Sequence, residues 1–510
     1  MQTQNFGAML DDMGDQQAFT CRTFSATRAE LRLASRRGAA LLASMGLSRG
    51  DTLAVWLPDG GSWLQLLFAS AHLGVLVVPI STRFKLDEAR HVVRTARAKA
   101  IAVPTDFLGF DYVAAARAIQ SELDHVLHVA EVANPESFIA VDARLQDVAE
   151  TGTPGDGLCT FSTSGTTGHP KLAVHTQAGI ARHGQNVARR MQVRPGDVML
   201  CGLSLYGVLG FVQMIGALSG GGRCIFMQIF DAARAAALIR DEKVTHFFGA
   251  DGMFAPVLDV TDASLRTWRW GGFAEFAGLA GAVVERAERE QGVCAFGLYG
   301  ASECFAVTAT GMPDEPQALR KLAGGTPISP EIAFRVVDVQ TGVPLMDGER
   351  GELQIRGYNV LLCYLNNPQA TQAAITPEGW YRTGDLAYAQ GERFIYLSRL
   401  KDGLRLRGYL VDPSEIEDFI AGYVGVRDAQ VVGVTRAGEG DVAIAFVRAS
   451  DPSVTEADLL AFCKNGTANY KVPRRILLVE DYPRLAGPNG TKILKNKLRE
   501  MAEEALLERG

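Results

Sequence analysis

The sequence predicts an α/β protein: a large N-terminal domain of α/β sheets, a small β-rich subdomain, and an α+β C-terminal domain. Three observations carry this. Helical periodicity alternates with short apolar strands through the first three hundred residues, the pattern of mostly parallel sheets covered by helices. After residue 335 the pattern changes to short strands with turn signals. From residue 404 the predicted order is β-α-β-β-α-β, a compact α+β module.

Taken in order, RAELRLASRRGAALLASMG reads as an amphipathic helix and DTLAVWL as a strand, followed by an apolar helix and the strand GVLVVPI. The apolar stretches 64–80 and 207–227 are broken by Gln65, His72, Gly74 and Pro79, and by Gln213, Ser219 and Gly220–Gly222. Both read as a buried helix running into a strand, and neither as a membrane span. TGTPGDG at 151–157 reads as a linker. A second round of helix, glycine and strand runs from GFVQMIGALSGGGRCIFM through AALIRDEKVTHFF to AGAVVERAEREQGVCAFGLYG, an architectural duplication without residue-level repeat. Then come the strands IAFRVVD, ELQIRG and RFIYLS, and in the C-terminal module LRLRGYLV, AQVVGV, VAIAFV and RILLVE. The helix PSEIEDFIAGY is well signalled, with Asp412 as N-cap, Pro413 at its first position and Glu415 three after the cap. The domains expected are 1–398 and 404–510, joined by a hinge at 399–403.

The 510 residues give room for roughly three domain-sized units. With 51 Lys and Arg against 57 Asp and Glu, the net charge of −6 supplies no basic stripe for a nucleic-acid backbone. The first residues, MQTQNFGAMLDDMGDQQ, lack the basic and apolar regions of a signal peptide, so a cytoplasmic location is expected. Eight cysteines without a C-x-x-C pair fit reduced thiols, and no H-E-x-x-H or Cys/His cluster suggests zinc. The 54 glycines exceed an average share of about 7%, pointing to many tight turns or to backbone brought close to a ligand.

The most informative segment is TFSTSGTTGHPKL at 160–172. Glycines let backbone N–H groups approach phosphate oxygens, hydroxyls add donors, and Lys171 adds a point charge. It is no Walker loop, because Pro170 stands where that pattern needs glycine. Taken alone, such a Ser/Thr/Gly run also has a lesser reading as a flexible linker.

Together with LYGASE at 298–303, GWYRTGDL at 379–386, RLKDGLRLRGYLVDPSEIE at 399–417 and GPNGTKILKNKLRE at 487–500, the loop decides the matter. These five segments, in this order over nearly the whole chain, resemble the adenylate-forming superfamily of acyl-CoA synthetases, luciferases and nonribosomal adenylation domains. The resemblance implies an ATP-dependent ligase that turns a carboxylate into an acyl-AMP, releases pyrophosphate, and passes the acyl group to a thiol. ATP, Mg²⁺ and coenzyme A are the implied cofactors and co-substrates, with a small carboxylic acid as partner and a monomer or homodimer as assembly.

The resemblance also implies roles. Thr163, Ser164, Gly165, Thr166, Thr167 and Gly168 with Lys171 would grip the ATP phosphates, Thr166 being counted with Glu303 and Lys492 among the catalytic residues. Glu303 would be the magnesium ligand, a role suited to one carboxylate beside phosphate oxygens and water. Ser302 would reach the α-phosphate, with Gly300 beside it in the same motif. Tyr299 would stack on adenine, although its residue type also suits a core. Asp385 and Arg399 would contact the ribose, although Asp385 also suits a turn after Gly384. Lys492 would meet the carboxylate and α-phosphate where negative charge crowds in the transition state. Lys401 falls at the hinge about which the small domain rotates, and Gly408 would leave room for the pantetheine arm.

Departures from the family concern the acid. In LSLYGVLG at 203–210 most acyl-CoA synthetases have a proline at 204 and a histidine at 207; here stand Ser204 and Gly207. Gly207, beside Tyr206, implies space for a bulkier acid, so a medium-chain, alicyclic or aryl acid is expected. Leu172 and Cys363 stand where glycine is common, Cys363 reading as a small buried hydrophobe. Phe273 stands beside the adenine and acyl pocket where a small residue is common, and Asp251 is either a pocket residue or a turn. The alternatives are an acyl-AMP ligase loading a carrier-protein phosphopantetheine, a non-CoA adenylating enzyme, or a non-catalytic nucleotide-binding module. A serine hydrolase built on GASEC lacks the final glycine of a nucleophile elbow.

Overall fold

The computed structural model describes residues 6–10, 15–163, 170–260, 264–274, 280–400, 404–407, 409–411, 413–436, 440–487 and 490–507. Two large sheets form the N-terminal part. In the seven-stranded sheet the order is Cys363–Tyr364, Lys171–Thr176, Gly157–Thr163, Leu76–Pro79, Thr52–Val55, Ala100–Pro104, His128–Val132. From Gly157–Thr163 onward neighbours run parallel, which obliges the chain to cross over between strands; helices such as Gly61–Leu73 do so.

The fourteen-stranded sheet begins in the same style. Gln17–Cys21, Arg223–Phe226, Val198–Cys201, His246–Phe247, Trp270–Ala274 and Cys294–Ala301 run parallel to one another. The sheet then turns antiparallel at Phe305–Thr310 and continues through Gly324–Pro327, Arg393–Arg399, Tyr381–Gln390, Arg350–Arg356 and Ala333–Val337. The β-rich unit expected after residue 335 is therefore a hydrogen-bonded extension of the large sheet that starts some thirty residues earlier. Pairing across Cys294–Ala301 and Phe305–Thr310 is a long-range property to which local strand signals are blind.

The helices Gly61–Leu73 and Val208–Ser219 are apolar on nearly every side, as buried helices must be. Both belong to the principal core, where Trp63 and Phe211 meet edge to face at 6.1 Å. Each runs into its strand, Leu76–Pro79 and Arg223–Phe226, as the sequence predicts. Among the described residues no helix is long and apolar enough to cross a membrane, and all eight cysteines are free thiols.

From residue 404 the strands form a sheet of their own. One expectation needs correcting: LRLRGYLV is not one strand but two, Leu404–Leu406 and Tyr409–Val411, paired antiparallel with Leu406 opposite Tyr409. Arg407 lies in the left-handed region, at φ 49°, and reverses the chain; the apolar alternation continues across this turn and hides it. The helix Pro413–Ala421 forms as expected, while its predicted cap Asp412 lies outside the described residues. The small domain touches the large one through Lys471, whose ammonium lies 3.0 Å from both Glu88 and Glu415 and 5.3 Å from the centre of the Phe84 ring. Burial opposes that charge, but Tyr470, Glu415 and Glu88 outweigh it and hold the Lys471 pKa above its ordinary value.

Candidate active site

Antiparallel pairing of Gly157–Thr163 with Lys171–Thr176 sets Thr163 directly opposite Lys171. The intervening residues Ser164, Gly165, Thr166, Thr167 and Gly168 lie outside the described residues. The hydroxyls of Thr160 and Thr163 are buried and have no partner among the described residues. Leaving a buried hydroxyl unpaired costs about 1–3 kcal/mol. A strand end that presents such a hydroxyl opposite a lysine fits an anionic acceptor.

The second component is the turn where the large sheet changes from parallel to antiparallel. Tyr299 and Gly300 end one strand, Ala301 pairs with Phe305 of the next, and Ser302 and Glu303 occupy the connection. Gly300 is required there, because a Cβ would lie 2.4 Å from both Ala306 Cα and the Phe305 carbonyl oxygen. Ser302 Oγ donates to the Ser162 carbonyl at 3.1 Å, joining this turn to the strand that leads into the glycine loop.

His175 holds the same turn from the other side. Its Nε2 lies 2.7 Å from the Ser302 carbonyl, which only accepts, so Nε2 carries the proton. The His175 and His183 rings both stack on Phe305, with centroids 3.9 and 4.7 Å from that ring. Burial depresses the pKa of His175 to about 4 and that of His183 to about 3, only partly offset by their backbone hydrogen bonds, so both are neutral at physiological pH. Phe305 and Val307 each have φ 61°, a conformation costing roughly 1–3 kcal/mol for a bulky residue. The histidine clamp and the Asn359 side chain, which donates to the Cys304 carbonyl at 2.7 Å, over-determine it.

Glu303 is 9% exposed, and its Oε1 accepts from the Tyr364 hydroxyl at 2.8 Å. The Lys171 ammonium sits 4.8 Å from the centre of the same tyrosine ring. Tyr299 donates its hydroxyl to Asp385 Oδ2 at 2.6 Å, with its ring edge-on to Phe394 at 5.1 Å. Asp385 is buried, its N–H bonded to Thr383 Oγ1, and the strand register places Arg399 opposite it. The Arg399 side chain and all of Lys401 and Gly408 lie outside what the structure describes. Lys492 lies on Gly490–Ile493, paired with Leu485; its side chain is likewise outside the description.

Tyr206 and Gly207, expected from the sequence to lie beside the acid, occupy the turn before the helix Val208–Ser219. Asp59, fully buried, accepts from Leu205 N at 3.0 Å and Ser204 Oγ at 3.2 Å and so anchors that turn. Burial pushes its pKa up to about 7, against the pull of those two donors. A Cβ on Gly207 would meet only the Ser204 carbonyl, at 3.4 Å. Phe273 is fully buried against Phe254 in the core that also holds Phe247 and Trp268, so its described contacts are those of a core residue. Asp251 is fully buried at the first position of the helix Asp251–Leu258, where its carboxylate accepts from Gly252 N at 2.9 Å. Cys363 is half-buried and lines an open surface depression with Tyr364, Asn366 and Pro368. Among the described residues no three His, Cys, Asp or Glu side chains cluster as a metal site.

Residues 9–365 match the AMP-binding enzyme family, and residues 415–486 match the AMP-binding enzyme C-terminal domain. The chain belongs to the AMP-binding enzymes. This places it in the adenylate-forming superfamily, as the five segments imply, and makes it a ligase. A methyl-dioxo-octahydroindenyl-propanoyl:CoA ligase of Rhodococcus jostii is 32% identical over 91% of this chain and 91% of its own. A mitochondrial medium-chain acyl-CoA ligase of Danio rerio is 31% identical over 94% of this chain and 84% of its own. Among solved structures, the amide bond synthetase McbA of Marinactinospora thermotolerans superposes with a TM-score of 0.85 at 22% identity, covering 98% of this chain and 99% of that one. At that identity the likeness concerns the fold.

In this AMP-binding enzyme the structure sets Thr163 opposite Lys171, links Ser302 to that strand pair through Ser162, links Glu303 to Lys171 through Tyr364, and pairs Tyr299 with Asp385. Sequence reasoning overlooked Tyr364, Asp59, His175 and His183. Each acts through a partner more than forty residues away, so no local pattern marks it; Asp59, in the turn after an apolar strand, reads as an ordinary loop carboxylate.

Proposed function

We propose that this enzyme is an ATP-dependent carboxylate–CoA ligase that activates a medium-length, branched, alicyclic or aryl acid. The observation that carries the reading is the linkage of four chain regions: Ser302 hydrogen-bonds the strand entering the glycine loop, Glu303 is tied through Tyr364 to Lys171, and Tyr299 is tied to Asp385. In this reading Tyr299, Asp385 and Arg399 orient the nucleoside, while Thr163, the loop that follows it and Lys171 bind the phosphates. Glu303 would hold Mg²⁺, whose charge, when bound, offsets that of the polyphosphate.

A carboxylate is a weak electrophile. Attack of its oxygen on the α-phosphorus, with pyrophosphate leaving, produces an acyl-AMP whose AMP then departs easily. Lys492 would stabilise the charge that gathers between carboxylate and α-phosphate, and Ser302 would donate to the same phosphate. Rotation of the small domain about Lys401 would then withdraw Lys492 and bring the strand containing Gly408 to the thiol path. The thiolate sulfur would attack the acyl carbon and AMP would leave.

The lack of a side chain at Gly207, where a Cβ would meet only the Ser204 carbonyl, supports a bulky acid, and so do the names of the Rhodococcus jostii and Danio rerio relatives. Pyrophosphate release measured against fatty, alicyclic and aryl acids, with and without CoA, tests the reading. Acid-dependent release and a CoA thioester of a medium-sized acid are expected. Release that never yields a thioester with CoA, but yields one with a phosphopantetheinyl carrier protein or an amide with an amine, would replace CoA as acceptor. No release with any acid would overturn the ligase reading.

A further inference from the structure

We propose that Tyr364 is a positioning residue that keeps Lys171 and Glu303 apart, so that each stays free for its own part of the bound nucleotide. This rests on the reading above, in which Lys171 serves phosphate and Glu303 serves the metal. Tyr364 is 4% exposed and lies on the two-residue strand Cys363–Tyr364, where it pairs with Ala173, two residues after Lys171 on the same strand. The next residue continues the contact, Leu365 N donating to the Leu172 carbonyl at 2.9 Å. On the other side Leu361 N donates to the Glu303 carbonyl at 2.7 Å. The segment is thus fastened by its backbone to Glu303 and to the strand residues that follow Lys171, and the tyrosine ring touches both charged side chains.

The two ends of that ring do different work. Its hydroxyl donates to Glu303 Oε1 at 2.8 Å, which orients the carboxylate without neutralising it. Its face receives the Lys171 ammonium at 4.8 Å from the ring centre, and an aromatic face attracts a cation without consuming a negative charge. Among the described residues Lys171 forms no ion pair. Without the ring, a lysine and a carboxylate that flank the same tyrosine in a largely buried site would pair directly, since opposite charges attract strongly where water is scarce. That pair would hide the ammonium from phosphate and the carboxylate from magnesium at once.

The test is ATP binding to the full-length enzyme by calorimetry, first in EDTA and then with increasing Mg²⁺. Tyr364→Phe keeps the ring face and removes the hydroxyl. It should bind metal-free ATP within twofold of wild type but need severalfold more Mg²⁺ to reach half its metal-dependent gain in affinity. Tyr364→Leu removes both ends of the device and should weaken metal-free ATP binding about five- to tenfold, the scale of a part-buried ion pair that the phosphate must now break. Adding Glu303→Gln to Tyr364→Leu removes the competing carboxylate and should restore metal-free affinity to within twofold of the Glu303→Gln single variant. A structural defect would not be cured by that second change. Should the double variant stay as weak as Tyr364→Leu, or should Tyr364→Phe match wild type in its Mg²⁺ requirement, the proposal is overturned. If Tyr364→Leu does not fold, the Tyr364→Phe magnesium titration decides alone. A wild-type enzyme that binds no ATP with or without Mg²⁺ would instead overturn the nucleotide reading on which the proposal stands.

Discussion

Gly207→His tests whether space in the acyl pocket sets the choice of acid. Gly207 has φ −91° and ψ 139°, an extended conformation open to any residue, and a Cβ there meets only the Ser204 carbonyl at an ordinary 3.4 Å. The fold should therefore accept a side chain, and Gly207→Ala should leave both stability and activity nearly unchanged. An imidazole would take up the room of roughly three methylenes, each worth about 0.8 kcal/mol when buried, or about 2.4 kcal/mol in all. For an acid that fills the pocket this amounts to about a fiftyfold loss in kcat/KM, while acetate, which does not reach that far, should lose little. The assay is pyrophosphate release across acids of two to ten carbons and several ring acids, comparing wild type with both variants. If Gly207→His slows every acid alike, or if wild type prefers acetate, the pocket argument fails.

Lys492→Ala should lower acyl-AMP formation by about 10²–10³, the usual effect of losing one preorganised electrostatic donor, and leave transfer from supplied acyl-AMP to CoA largely intact; equal loss in both half-reactions would refute its assigned role. Gly300→Ala should destabilise the protein by about 1–3 kcal/mol, because its Cβ would lie 2.4 Å from Phe305 and Ala306 backbone atoms; a lowered Tm together with lost ATP binding is expected, and an unchanged Tm would contradict the packing. Burial raises the Asp59 pKa from 3.8 to about 7, so the folded state holds a proton that the unfolded chain has lost between those values. Stability attributable to this group is present below about pH 4 and is lost as pH rises to 7, by an amount on the order of 4 kcal/mol. Asp59→Asn keeps an acceptor for Leu205 N and Ser204 Oγ and should flatten that pH dependence in urea titrations; identical profiles for variant and wild type would show that Asp59 does not carry it.

The sequence by itself determined the fold class, most individual strands and helices, and the family, because these depend on local patterns: alternating periodicity, apolar runs such as 64–80, and motifs such as LYGASE whose residues are neighbours in the chain. It also marked Thr163, Lys171, Glu303, Tyr299 and Asp385, each inside such a motif. Only the tertiary structure decided how these residues meet. That Tyr299 donates to Asp385, eighty-six positions away, depends on sheet order and register. That LRLRGYLV turns back on itself depends on pairing and on the left-handed Arg407. The same holds for the supporting groups. His175, His183, Asp59 and Tyr364 are ordinary residue types in unremarkable local settings, and they acquire a role only when burial removes water and brings distant partners within hydrogen-bond or stacking distance. The packing of Phe273 against Phe254, within the core that also holds Phe247 and Trp268, likewise follows from how distant elements stack and not from its local sequence. Hydrophobic periodicity records which face of an element is buried, but the partner across the core is chosen by the topology of the whole chain.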